Sequence, residues 1–289
     1  GEHPFKDYWA VSGPFIDYSQ AFLFYLFGVN WLVYLINPSI LNVVLVLSTF
    51  HLFKKLNIAN NTNLFFCLCL AILAYPNSGT PFVDHHSAFL SIIGIYIFYF
   101  AILNNILFIW FIIPPIFSFA FLSKQIPSSF VVLTFILSLF YHLILNKRDY
   151  NLKVLGTLIS STVMTIIFYL VFFKIIELDL NMFFKQYIFY PLTIGEGRFE
   201  IFKIDINRII FEFKFIHLFF LLYFFLNIFN FIKKNKYFKC LDFKIFLTFF
   251  QIYVFFLISQ IITKNQIYIF FLILIFIFLL FIIIKNYDF

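Results

Sequence analysis

Long apolar runs, each closed by polar or charged residues, recur along almost the whole chain. They lie at 36–55, 63–76, 88–104, 106–123, 127–146, 152–175, 209–232, 243–262 and 267–285. A helix crosses a hydrocarbon core of roughly 30 Å with about 20 mostly apolar residues. The pattern therefore predicts about nine transmembrane helices in a chain of this type. The run 19–35 is apolar too, but Gly28, Asn30 and the break Asn37-Pro38-Ser39 predict a helix at the interface ahead of the first full crossing. Pro38 then suits the first turn of that crossing. Pro114-Pro115 falls inside the run 106–123 and predicts a kink or break there.

Composition narrows the class. Of 289 residues 63% are hydrophobic and 11% charged, against about 25% charged in soluble chains. The fold class is an all-α polytopic membrane protein, read as a single transmembrane domain over 1–289, with interfacial helices in its extracytoplasmic loops. The 51 Phe, with many Ile, Asn and Lys, point to AT-rich coding DNA, so an aromatic here is weak evidence of function. Cys67, Cys69 and Cys240 form no disulfide framework, and the first two sit in an apolar run as small hydrophobes.

The net charge of +7 changes the picture once it is divided by side of the bilayer. Alternating the nine spans puts eleven of the 20 bases and three of the 13 acids on one side, from Lys54 and Lys55 to Lys285. An excess of Lys and Arg marks the cytoplasmic side. The basic balance thus reports topology, and no nucleic-acid partner is needed to explain it. Residues 1–35, 77–87, 124–126, 176–208 and 263–266 then face outward, and with them most acids. Any chemistry belongs on that outer face.

Four outer clusters are candidates. The opening segment carries Glu2, His3, Lys6, Asp7 and Asp17. The loop 76–87 runs into a helix through Asp84, His85, His86 and Ser87; Asp84 either caps that helix or serves a site. Adjacent imidazoles on a helix point about 100° apart, so His85 and His86 do not readily share one metal. Lys124, at a helix end beside Ser123 and Gln125, either snorkels to the interface or fixes a lipid phosphate. The loop 176–208 reads as an amphipathic segment resting on the bilayer, then a Gly195-Glu196-Gly197-Arg198 turn. Arg198 either clamps phosphate or carboxylate or pairs with Glu196 or Glu200. His51, His142 and His217 are isolated on apolar helices and read as packed or interfacial rather than catalytic. The stretch Thr157–Thr165 holds small hydroxyl residues suited to close helix packing. No phosphate-binding Gly loop, zinc-protease motif or nucleophile elbow is present in the sequence.

The phrase Gly1-Glu2-His3-Pro4-Phe5-Lys6-Asp7-Tyr8-Trp9, followed by Gly13-Pro14 and Phe24-Tyr25-Leu26-Phe27-Gly28, resembles a loop of GT-C type membrane glycosyltransferases. These are the polyprenyl-phosphate-sugar-dependent enzymes that include mannosyltransferases and aminoarabinose transferases. The helix entry at Asp84 and the step Phe121-Leu122-Ser123-Lys124-Gln125 are similar to later family segments, and the resemblance covers about the first 130 residues. It implies transfer of a hexose or pentose from a polyprenyl-phosphate donor to a lipid, glycan or protein acceptor outside the cytoplasm. The expected setting is a bacterial inner membrane. By the same resemblance Asp84 and Asp7 are the catalytic carboxylates, and Lys124, Arg198, His85 and His86 contact phosphate. The donor's tail is expected in an apolar groove. No nucleotide cofactor is required, and a divalent metal is left open. Family members carry a first helix and an acidic residue ahead of the Gly-Glu-x-Pro phrase, so the resemblance implies an N-terminally truncated fragment. Competing readings are an O-antigen-type polymerase, a transporter or flippase of lipid-linked sugars, and a non-catalytic membrane subunit.

Overall fold

A computed structural model describes residues 2–76, 79–200, 206–233, 241–263 and 269–285, with side chains for all but 197–200, 206 and 208. The described residues form helices and connecting turns. In order these are α1 Pro14–Phe27, α2 Trp31–Lys55, α3 Asn60–Ala74, α4 Val83–Asn104, α5 Leu107–Ser123, α6 Gln125–Ile144 and α7 Arg148–Ile175. They continue with α8 Leu180–Phe183, a π-helical turn Phe184–Phe189, α9 Tyr190–Glu200, α10 Ile206–Glu212, α11 Lys214–Lys233, α12 Leu241–Thr263 and α13 Phe271–Lys285.

The expectation of nine spans is corrected to six. Among the described residues α2, α4, α6, α7, α11 and α12 are long and apolar enough to cross a membrane, while α3, α5 and α13 are shorter. At 1.5 Å per residue a 15-residue helix such as α3 or α13 extends about 22 Å, short of the roughly 30 Å core. Apolar composition runs past the helix ends, but backbone signals stop the helices sooner. Tyr75, ahead of Pro76, adopts an extended conformation and closes α3. Asn105, left-handed at φ 54°, closes α4 and delays the start of α5.

Three local expectations also shift. The run 19–35 divides between α1 and the beginning of α2, so Pro38 lies inside α2 and does not open it. The expected Gly-Glu-Gly-Arg turn is helical, within α9. Finally, α5 continues through Pro114 and Pro115 without interruption. Pro115 has no N–H for the carbonyl four residues earlier, and that carbonyl, on Phe111, accepts from Ser161 Oγ of α7.

The chain divides into two compact units. The first comprises Gly1–Leu41, Pro76–Ser129 and Leu152–Lys203, the second Asn42–Tyr75, Phe130–Asn151 and Ile204–Phe289. In the first unit α4 is the most enclosed of the long helices, with 78% of its apolar window buried. Gly94 lets α5 approach: a Cβ there would stand 2.8 Å from the Phe117 ring. By contrast α7 buries only Val154, Leu158 and Ser161, a single stripe at helical spacing, and leaves the rest of its apolar surface outward. In the second unit Phe278 of α13 stacks on Phe53 at 4.3 Å and meets Phe66 of α3 edge-on. There Phe220 of α11 lies flat on Tyr253 of α12, ring centres 3.6 Å apart. Ser138 and Thr248 share a hydrogen bond of 2.7 Å.

Candidate functional site

Gly13 explains how the opening segment is fixed. It sits at φ 82°, a region side-chain-bearing residues rarely adopt, and a Cβ there would be 2.9 Å from Val83 Cγ1 at the start of α4. Its N–H donates to the Ser123 carbonyl at 3.0 Å, and Pro14 then opens α1. Three segments singled out from the sequence therefore meet around residues 13, 83 and 123.

At that junction Lys124 adopts an extended backbone (φ −162°, ψ 140°) between α5 and α6. Its carbonyl accepts from Ser87 Oγ at 2.9 Å and Ser128 Oγ at 2.6 Å. Its Nζ donates to both carboxylate oxygens of Asp84, at 2.7 and 2.8 Å. Asp84 is 1% exposed. It lies in the first turn of α4, where the positive end of the helix favours a carboxylate, and the N-cap residue is Phe82 with no side-chain capping bond. Burying two charges is costly unless the pair is close and well oriented, as the two-oxygen contact here is.

The segment 176–189 joins the same assembly. Gln125 Nε2 donates to the carbonyls of Val11 and Tyr187 at 2.9 and 2.7 Å. Gln186 accepts from the Ala10 N–H at 2.9 Å and donates to the Phe5 carbonyl at 3.2 Å. Tyr187 OH donates to the Phe121 carbonyl, and its burial pushes the phenol well above its ordinary pKa. Phe5, Ala10, Leu178, Phe183 and Tyr187 form a small buried core. Phe5 holds a left-handed φ of 69°, a conformation costing about 1–3 kcal/mol, and its ring packs edge-on against Phe183 and Tyr187. Lys6 Nζ reaches the Ile176 carbonyl at 2.9 Å and Glu177 at 3.3 Å.

The remaining sequence candidates are placed differently. Asp7 is exposed, and its carboxylate closes a local turn on the His3 N–H at 2.7 Å. His85 and His86 diverge, as neighbours on a helix must. The His85 ring lies between Phe82 and Phe89. His86 is 2% exposed and meets the Phe82 carbonyl at 3.1 Å and Asn37 Oδ1 at 2.9 Å. Asn37 in turn donates to Ser19 and to Gln20, both at 3.1 Å. The Arg198 side chain lies outside the described residues. Asn37, Gln20 and Gln186 carry contacts that sequence reading missed; Asn37 stood out only as part of a presumed break before Pro38.

Beside the junction, α1, α5, α7 and residues 178–183 enclose a cavity of about 300 Å³. Phe5, Phe15, Phe119, Leu122, Phe172 and Phe183 are among its walls, with Tyr18, Ser19 and Tyr169. Phe22 and Phe168, which also line it, are 61% and 59% exposed, so the cavity opens between α1 and α7. Tyr18, on its wall, meets His3 Nδ1 through its OH at 3.4 Å, and close by in the sequence Tyr8 OH donates to Asp17 at 2.9 Å. Burial, then the charges of Asp17 and Asp7, push Tyr18 up to about 12. Burial also raises Asp17, with the Tyr8 hydrogen bond opposing.

Chemically, the junction holds a carboxylate and an ammonium locked on each other. Among the described residues no three His, Cys, Asp or Glu side chains cluster as a metal site. Comparison with protein-family models, with curated proteins and with solved structures finds no match to this chain.

Proposed function

We propose that this chain is a membrane-embedded glycosyltransferase that moves a hexose or pentose from a polyprenyl-phosphate-linked donor to an acceptor outside the cytoplasm. The observation that supports it best is the Asp84–Lys124 pair, at the meeting point of the opening segment, the start of α4 and the 124–126 step. In the resting state each group neutralises the other. A donor phosphate that draws Lys124 Nζ to itself releases the Asp84 carboxylate. Asp84 then takes the proton of an acceptor hydroxyl as the oxygen attacks the sugar's anomeric carbon. The bond between that carbon and the phosphate oxygen breaks, and Lys124 stabilises the charge on the departing lipid phosphate. Arg198 is a further phosphate contact in this reading; His85, packed between Phe82 and Phe89, and His86, held by the Phe82 carbonyl and Asn37, are assigned no contact with it.

The test is consumption of radiolabelled polyprenyl-phosphate sugar by membranes containing the complete gene product. Asp84→Asn is expected to lower turnover by about 10²–10⁴-fold, the usual contribution of a positioned acid or base. Lys124→Met is expected to lower it comparably. Wild-type-like turnover in Asp84→Asn, with the protein present at normal abundance, removes Asp84 from the chemistry and with it this proposal.

A further inference from the structure

Three candidate spans of the second unit have ends that meet: the close of α6 with the turn that follows it, the close of α11 and the start of α12. Side-chain contacts hold them together. Lys244 Nζ of α12 lies 3.3 Å from Nδ1 of the buried His142 on α6. Phe243 stacks on Phe231 of α11 with ring centres 5.8 Å apart, and meets Tyr141 of α6 edge-on. The turn after α6 is fixed by Asn146 Nδ2 on the His142 carbonyl at 2.6 Å and Asn151 Nδ2 on the Leu143 carbonyl at 2.7 Å. That turn presents Lys147 and Arg148, both exposed. Lys233, also exposed, closes α11.

Charge sets the class of group this end receives. Over 147–149 and 233–244 the sequence carries seven bases, against two acids, Asp149 and Asp242. A bias in Lys and Arg orients a chain wherever in its short loops the bases fall. It does not require a lysine to be held on a buried imidazole. Lys244 lies in the first turn of α12, where the positive end of a helix disfavours a cation, and an imidazole brings no negative charge to offset it. Asp242 shares that turn and leaves the surrounding bases in excess. An anion with several oxygens completes such a cluster.

The neighbouring surface selects a lipid anion over a soluble one. Phe140 and Ile144 of α6 and Phe229 and Ile232 of α11 are exposed on candidate spans, close in sequence to the bases. A phosphate seated on the bases carries its acyl chains along these side chains.

We infer that this end of the second unit binds the phosphate head group of an anionic phospholipid, held by Lys147, Arg148, Lys233 and Lys244, in the leaflet that the excess of bases marks as cytoplasmic.

The probes are phosphatidylglycerol and phosphatidylcholine bearing the same diazirine acyl chain, each doped into phosphatidylcholine nanodiscs around the full chain. Phosphatidylglycerol is expected to label peptides containing Phe140, Ile144, Phe229 or Ile232 at least tenfold more than phosphatidylcholine does, at about fivefold for each base at an anionic surface. Lys147→Glu with Arg148→Glu is expected to bring the two lipids to within about twofold of each other, with the elution volume of the protein unchanged. Lys244→Gln is expected to lower the preference about fivefold. Equal labelling of wild type by the two lipids overturns the proposal and leaves these bases to a soluble acidic partner or to orientation alone. A preference unchanged in the exposed double variant and in Lys244→Gln overturns the assignment to these residues.

Discussion

Asp17 and Asp84 are both acidic residues in the first turn of a helix, and their surroundings give them opposite characters. Asp84 meets a lysine with both oxygens and is almost wholly buried. Breaking a pair of that kind typically costs about 3–5 kcal/mol, because the remaining charge is stranded. Asp17 has a tyrosine hydroxyl for company and is partly desolvated, which raises its pKa above the ordinary 3.8. The sign of the resulting linkage is fixed. A carboxyl with a raised folded-state pKa binds its proton more readily in the native protein than in the unfolded chain. The stability it contributes is therefore full below about 4 and is lost as pH rises through the folded value. Asp17→Asn, whose amide oxygen still accepts from Tyr8, is expected to be more stable than wild type at neutral pH. Below the ordinary carboxylate range its advantage should vanish. Thermal unfolding in detergent across the range from below to above that value checks this; parallel pH profiles for the two proteins would rule it out.

Elements show where sequence reasoning held and where physics outside its reach took over. Among the described residues the apolar runs are almost wholly helical, because continuous hydrophobic blocks, unlike the alternating strands of a barrel, satisfy their backbone hydrogen bonds in lipid within the segment itself. Their ends did not follow composition. Asn105 and the Tyr75-Pro76 step stop helices inside apolar sequence, and such backbone events leave little trace in a hydropathy pattern. The junction was partly legible: Gly13-Pro14, Asp84 and Lys124 are all conspicuous in the sequence, and all converge. Their pairing was not, since contacts across forty residues, or the 176 between Ala10 and Gln186, have no local signature. The double proline of α5 shows the same boundary. A kink or break was the expectation; the helix does not break, and Ser161 of α7 takes up the Phe111 carbonyl that Pro115 leaves free. Removing that hydroxyl strands a buried acceptor, at a cost of about 1–3 kcal/mol. Ser161→Ala is expected to lower unfolding stability by that amount, while Ser161→Thr retains most of it. If Ala and Thr behave alike in detergent-unfolding measurements, the helix is held through its prolines by something other than this bond.

At the scale of the whole molecule, the contacts of the first unit constrain how it sits in a bilayer. Residues 3–13, the start of α4, the 124–126 step and residues 176–187 are tied by side-chain and backbone hydrogen bonds, and they include Lys6, Glu177 and Gln125. Segments bonded in this way share one face of the membrane. From that face α4 runs 22 residues, about 33 Å at 1.5 Å per residue, which matches the hydrocarbon core. Its far end, at Asn105 and Ile106, must then emerge on the opposite side. Asp7→Cys and Glu177→Cys are accordingly expected to react with a membrane-impermeant maleimide from one side of sealed vesicles. Ile106→Cys, at a position 48% exposed, should react only from the other, each measured against the unsubstituted protein to allow for Cys67, Cys69 and Cys240. Should Asp7→Cys and Ile106→Cys label from the same side, α4 does not cross and the two faces of this unit are not separated by lipid. Should they label from opposite sides with Asp7→Cys outward, the candidate carboxylates and Lys124 lie outside the cytoplasm, where an acceptor would have to meet them.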